Sequence, residues 1–286
     1  MKMTRFEEKI LDWLKEHRII LGYVLITALN LYLRKIAVWW TVDGVVSYYD
    51  GHSHMVQGQL WWLIMRAGMV FPILPVHFMK WIAAAGDFAM AAVGARALSS
   101  KGLGGKAGSG EAKGSLERGL VFYAVVLIMP FTLLRGIVWS MTDSIGIACF
   151  LWAWCFAKKD VAKCAAYVAG MLFCPALLLS IVLEALVGNW RKRDSVKGSE
   201  RDSSDRHFNF AVVCGAVAAT AVIAGVLGLI NGFGFAEGLF GQVYFLSYEA
   251  LEGFSFAEGG EWLMQQLWLY CLPVSVWGIF KILRRI

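Results

Sequence analysis

Ordinary soluble chemistry leaves few marks on this chain. Charged residues are only 17% of its 286 positions, and there are 5 prolines. The 6 cysteines, at 149, 155, 164, 174, 214 and 271, are scattered along apolar stretches, and no two have the spacing of a metal site or a redox pair. They read as small core residues. The Gly-rich segment 102–110 lacks the Lys-Ser/Thr ending of a phosphate loop, and Ser47 has no base motif nearby, so nucleotide-binding and serine-hydrolase readings fall away. No small-residue cleavage site follows the first apolar run, which argues against a cleaved leader. No internal repeat stands out, which weakens an inverted-repeat transporter.

What is present is apolar. Hydrophobic residues make up 58% of the chain and the mean hydropathy is +0.59. That is too apolar for a soluble domain. A bilayer core demands about 20 apolar residues per helix, because backbone groups in lipid must be bonded internally. Several segments meet that demand, so the expected fold is an all-α polytopic membrane protein, not a barrel of short alternating strands. The net charge of +6 comes from basic residues gathered in loops, the pattern that orients a membrane protein, and it gives no reason to invoke nucleic acid.

Residues 1–18 read as a cytoplasmic amphipathic helix, with Phe6, Ile10, Trp13 and Leu14 on one face. The first span is Ile19 to Trp40, with Arg34 and Lys35 in its outer part. A loop to Gln59 follows, then Leu60 to Pro75, which its two prolines mark as an interfacial or re-entrant helix. Further spans are expected at His77 to Leu98, Gly119 to Val138 and Ile145 to Ala157. The run Val161 to Glu184 has Pro175 in its middle, so it reads as two short helices turning near Cys174-Pro175. A basic cytoplasmic loop, 191–207, separates this module (19–190) from the C-terminal part, 208–286, which holds Phe208 to Gly232, an acidic outer segment without Lys or Arg from Phe233 to Glu261, and Trp262 to Leu283. This gives about eight spans, an interfacial helix after the first, and both termini in the cytoplasm.

Two acids mark the outer face. Asp43 follows the first span, at the depth where a lipid-linked substrate presents its head group. Asp143 lies in Trp139-Ser-Met-Thr-Asp-Ser144 after another apolar run. Each could equally be a solvated loop acid, and Asp143 could cap the helix beginning near Ser144. Asp50 is a further carboxylate in the first outer loop. Arg34, Arg66 and Arg135 are candidates for binding phosphate, because the planar guanidinium donates two bonds at once. For Arg135 the alternative is an ion pair with Asp143 or Asp87. His52 and His54 in Asp50-Gly-His-Ser-His54 would share a face only on a strand, and no further ligand completes a metal set, so they are kept as acceptor contacts.

The ordered set Leu33-Arg34-Lys35 to Asp43, Tyr48-Tyr49-Asp50, Leu60 to Gly68, Lys80 to Asp87, Pro130 to Ser144 and Gly170 to Leu178 resembles the GT-C superfamily of polytopic glycosyltransferases. The likeness is to its mannosyltransferase-like members and covers roughly Ile19 to Arg193. Trp-Ser-Met stands where relatives have Trp-Gly-Gln before the Asp, and no Lys lies between Gly170 and Pro175. The chain reads as little more than the family's conserved N-terminal module. The resemblance implies transfer of a sugar from a polyprenyl-phosphate donor to a lipid, glycan or protein acceptor at the outer face of a plasma membrane, bacterial by its short loops. It implies Asp43 as general base, with Asp50 and Asp143 as the other catalytic candidates, and it leaves open a divalent metal. The alternatives are a non-catalytic partner subunit, a lipid-binding or flipping protein, and a small-solute transporter.

Overall fold

A computed structural model describes residues 5–37, 59–68, 70, 75–99, 109–134, 136, 142–174, 176–178, 180–181, 210–232, 234–236, 238 and 272–284. Among these, all regular structure is helical. The helices are α1 (Arg5–Ala37), α2 (Gln59–Gly68), α3 (Pro75–Ser99), α4 (Ser109–Ile128), α5 (Pro130–Leu133), α6 (Asp143–Cys155), α7 (Asp160–Phe173), α8 (Phe210–Ile230) and α9 (272–284). Among the described residues three stretches are long and apolar enough to cross a membrane: Asp12–Ala37, His77–Ser99 and Ala211–Ile230. The chain is therefore an all-α protein of membrane type.

Two sequence features explain why other apolar runs do not join those three. The first half of α4 carries Glu111, Lys113, Glu117 and Arg118. Helix α6 is apolar but has only 13 residues, about 20 Å at 1.5 Å per residue, short of a hydrocarbon core of about 30 Å.

Some boundaries differ from expectation. The amphipathic segment 1–18 and the first span are not separate: α1 runs unbroken through Arg18 and Ile19, where no proline or turn residue interrupts it. The expected span Gly119 to Val138 is broken. Helix α4 stops at Ile128, and Pro130 opens the single turn α5. Proline has no N–H to give the carbonyl four residues back, and its ring crowds that turn. Near Pro175, where a turn is expected, α7 ends at Phe173, with Cys174 leaving the helical region at φ −137°, ψ 88°. Helix α2 ends before the two prolines that follow it. The segments 38–58, 182–209 and 239–271 lie outside the described residues.

Side-chain contacts give each helix a direction. Arg18 pairs with Glu117, Thr27 with Tyr123 and Asn30 with the Leu127 carbonyl, so α1 and α4 run parallel. Ser115 donates to the carbonyls of Leu98 and Ser99 while Gly136 meets Asp87, so α3 runs against α4. Gly86 meets Ile145 and Arg96 lies over Phe156, so α6 runs parallel to α3. Gly146 meets Cys174 and Phe150 meets Tyr167, so α7 returns against α6. The directions of α1, α3, α4, α6 and α7 thus alternate along the chain.

The core sits between α3, α4, α6, α7 and α9, with Met90, Phe122, Leu127, Ile147, Leu151, Leu177 and Phe280 fully buried. Lipid tails are as apolar as leucine, so the helices are held by close packing rather than by escape from water. Small residues permit that approach. A Cβ on Gly94 would strike the Phe122 ring, and one on Gly146 would come within 2.6 Å of the Gly170 carbonyl. By contrast α1 turns Ile20, Val24, Leu25, Leu31 and Tyr32 outward, an apolar stripe suited to lipid.

Candidate functional site

Four polar residues of the apolar runs converge at one end of the bundle. On α1, Asn30 and Arg34 are one turn apart, and Ala37 follows on the same face. On α3, Lys80 and Asp87 are two turns apart, again on one face. Antiparallel approach of α1 and α3 brings the two sets together.

Arg34 Nη2 donates to Asp87 Oδ2 at 2.5 Å, with the side chains 6% and 2% exposed. Arg34 Nε donates to Asn30 Oδ1 at 2.7 Å, and Asn30 Nδ2 donates to the Leu127 carbonyl at 2.9 Å. That carbonyl lies in the last turn of α4, where carbonyls lack partners within the helix. The guanidinium also lies 5.7 Å from the centroid of Phe88. Lys80 Nζ donates to the Ala37 carbonyl at 3.4 Å. A buried network of this kind is stable only when its members satisfy one another, and three helices are stitched by it.

The floor of the cluster comes from the segment between α4 and α6. Gly136 lies so close to Asp87 that a Cβ there would strike the carboxylate, and Arg34 Nη1 would be 3.4 Å from it. Thr132, one turn earlier, is fully buried and its hydroxyl has no hydrogen-bond partner. Helix α6 begins at Asp143, which is 4% exposed, and Ser144 packs against Gly86 beside Asp87. Asp143 is near enough to Asp87 for the two carboxylates to repel. The N-cap position belongs to Thr142, which makes no side-chain cap bond. Asp143 therefore acts from one position inside, where a negative charge suits the positive end of the helix dipole.

The site residues expected from sequence fall into three groups. Arg34 and Asp143 are brought into one buried cluster through Asp87. Arg66 is exposed on the last turn of α2, a helix that packs on α3, α7 and α8. Asp43, Asp50, His52, His54 and Arg135 lie outside the described residues. Asp87, one of the two possible ion-pair partners of Arg135, pairs with Arg34 among the described residues. Sequence reasoning placed Asp87 and Lys80 in one motif, with Asp87 only as a possible ion-pair partner of Arg135, and it assigned no role to Asn30, Thr132 or Ser144. The signal available was a polar or charged side chain inside an apolar run, which lipid tolerates only when it is paired or functional.

Among the described residues no group of three His, Cys, Asp or Glu side chains could hold a metal ion. What the cluster offers is a buried group of two carboxylates, a guanidinium and an ammonium, placed at a helix start. Comparisons with protein-family models, with curated proteins and with solved structures found no match to this chain.

Proposed function

We propose that this chain is an integral membrane glycosyltransferase of GT-C type, moving a sugar from a polyprenyl-phosphate donor to a lipid, glycan or protein acceptor. The observation that carries the reading is the buried Arg34–Asp87 pair beside Asp143 at one end of the bundle. Charged groups inside a membrane helix are costly and mark functional sites by default. In the full reading about eight helices span the membrane, the cluster faces outward and both termini are cytoplasmic. Basic residues at the opposite end of α3, α6 and α9 support that orientation.

In this mechanism an acceptor hydroxyl attacks the anomeric carbon of the donor. The new carbon–oxygen bond forms as the bond to phosphate breaks, and the configuration inverts. Asp43 takes the hydroxyl proton, with Asp50 its alternate in the same loop. The departing phosphate carries the electron pair and is stabilised by arginine, from Arg34, Arg66 and Arg135. Asp143 orients the acceptor, His52 and His54 line its path, and a divalent metal is an optional aid.

The test is turnover of radiolabelled polyprenyl-phosphate sugars by the purified chain in nanodiscs, with Asp43→Asn beside the wild type. Loss of turnover with donor binding retained supports the assignment. Full turnover in a well-folded Asp43→Asn protein overturns the role of Asp43.

One observation favours a second reading. The charge of Arg34 is already matched by Asp87, as it would be in a structural tie. The chain would then be a non-catalytic partner subunit or a lipid-binding or flipping protein. Copurification with a larger membrane enzyme, and indifference of function to Asp43 and Asp143, would favour it. A small-solute transporter would instead show flux in proteoliposomes without lipid-linked sugar.

A further inference from the structure

We infer that Asn30 and Asp87 are positioning residues, holding Arg34 so that its Nη1 end meets the phosphate that leaves the sugar. The inference rests on the transferase reading and adds to it the two side chains that aim the guanidinium.

A guanidinium carries five N–H donors in one plane. Two of them are committed here, to acceptors on different helices: Nε to Asn30 Oδ1 at 2.7 Å on α1, and Nη2 to Asp87 Oδ2 at 2.5 Å on α3. Neither bond uses Nη1. Each acceptor is held in turn. Asn30 is buried and donates to the Leu127 carbonyl at 2.9 Å, so α4 fixes it. Gly136 closes on the Asp87 carboxylate, and Ser144 packs against Gly86, one residue earlier on α3. The Phe88 ring lies against the guanidinium, with its centroid 5.7 Å from Cζ. These three contacts fix the plane of the group as well as its place.

Charge balance alone needs less. Asp87 already matches the charge of Arg34, and Asn30 is neutral. What Asn30 adds is direction. With Nε and Nη2 turned to α1 and α3, Nη1 lies toward the segment between α5 and α6, 3.4 Å from the point that a Cβ on Gly136 would occupy. That segment leads to Asp143 at the start of α6.

The chemistry gives aim its value. In the donor the phosphate is a diester with a single negative charge. When the bond from the anomeric carbon to the bridging oxygen breaks, the electron pair stays on that oxygen and the phosphate gains charge. An unmatched guanidinium attracts both states by its net charge. One already matched by a carboxylate acts through directed N–H bonds, which strengthen as charge gathers on the oxygen they point to. Only the difference between the two states speeds the reaction. A displacement of about 1 Å in such a contact can cost about 100-fold in rate.

The test uses the full chain in nanodiscs as wild type, Asn30→Leu and Asp87→Glu, below the unfolding transition of all three. Asn30→Leu removes the acceptor of Nε and keeps the ion pair. Asp87→Glu keeps the pair and shifts it by one methylene. Either variant alone decides the point. Turnover of a polyprenyl-phosphate sugar gives kcat and KM. Native mass spectrometry gives the affinity for farnesyl phosphate, a short stand-in for the departing phosphate. Both variants are expected to lower kcat about 100-fold with little change in KM. Farnesyl phosphate is expected to bind about tenfold more weakly, the size of one hydrogen bond to a charged group. A residue that only ties helices together would lower the unfolding midpoint and leave the ratio of farnesyl phosphate affinity to donor KM in place. That result, or unchanged kcat and farnesyl phosphate affinity in a folded variant, would overturn the positioning role, as would a wild type that binds no farnesyl phosphate. A wild type that binds it, with binding weakened in the variants but no donor turned over, would keep the positioning role and remove the transferase reading.

Discussion

Arg34 and Asp87 join two helices through their side chains: α1 packs along α4, and it is tied to α3 by this buried pair, with Lys80 reaching the Ala37 carbonyl beside it. The attachment of the first membrane helix thus depends on polar contacts to an unusual degree.

Removing one partner of that pair strands the other charge. Asp87→Asn or Arg34→Leu alone is expected to destabilise the protein by about 3–5 kcal/mol, while joint replacement by apolar residues of similar volume costs far less. Thermal unfolding of the single and double variants in one detergent measures the difference. Equal losses in the single and double variants would refute the pairing.

Close packing predicts opposite outcomes for two glycines. Gly94 has the Phe122 ring where its Cβ would go, so Gly94→Val should overpack the core and cost about 1–3 kcal/mol. Gly114, in α4, has nothing within 4 Å of that position, so Gly114→Ala should stabilise its helix by about 0.5–1 kcal/mol. Unfolding midpoints report both signs.

Between α1 and α4, Thr27 Oγ1 lies 2.8 Å from the Tyr123 hydroxyl, and it also donates to the Tyr23 carbonyl at 2.7 Å. Tyr123→Phe removes one hydrogen bond without altering the edge-to-face contact with Tyr23. The expected loss is about 1 kcal/mol. A double-mutant cycle with Thr27→Val should show coupling of similar size.

The break at Pro130 is also open to test. Pro130→Ala restores the missing donor and lets α4 continue toward α5. Slower amide exchange from Met129 to Leu133 is the expected result, along with displacement of Gly136 from Asp87. Unchanged exchange would show that packing, not proline, ends the helix.

The helices were legible where apolar runs are long, and the break at Cys174-Pro175 was legible because proline interrupts such a run. The break at Pro130 was not legible, because apolar residues continue on both sides of this proline to Val138 and the run reads as one span. The site was half legible. Arg34 and Asp143 stand out as charges beside or within apolar segments. Their common neighbour Asp87 pairs with a residue 53 positions away, and no local periodicity carries such a partner. Asn30 and Ser144 are small polar residues of a kind that apolar helices often carry, so only their contacts distinguish them.

That separation also has a bearing on biosynthesis. Helix α1 leaves the ribosome before its aspartate has been made, and at typical rates of synthesis the gap lasts roughly 3–10 s. In that interval the arginine sits three residues from the end of α1, beside Lys35, at a cost of up to about 3 kcal/mol if held in lipid. Its position lets it wait at the head-group boundary until α3 arrives. Until α3 is in place, α1 lacks the buried partner of its arginine, so the tie between these two helices can form only after both have been made.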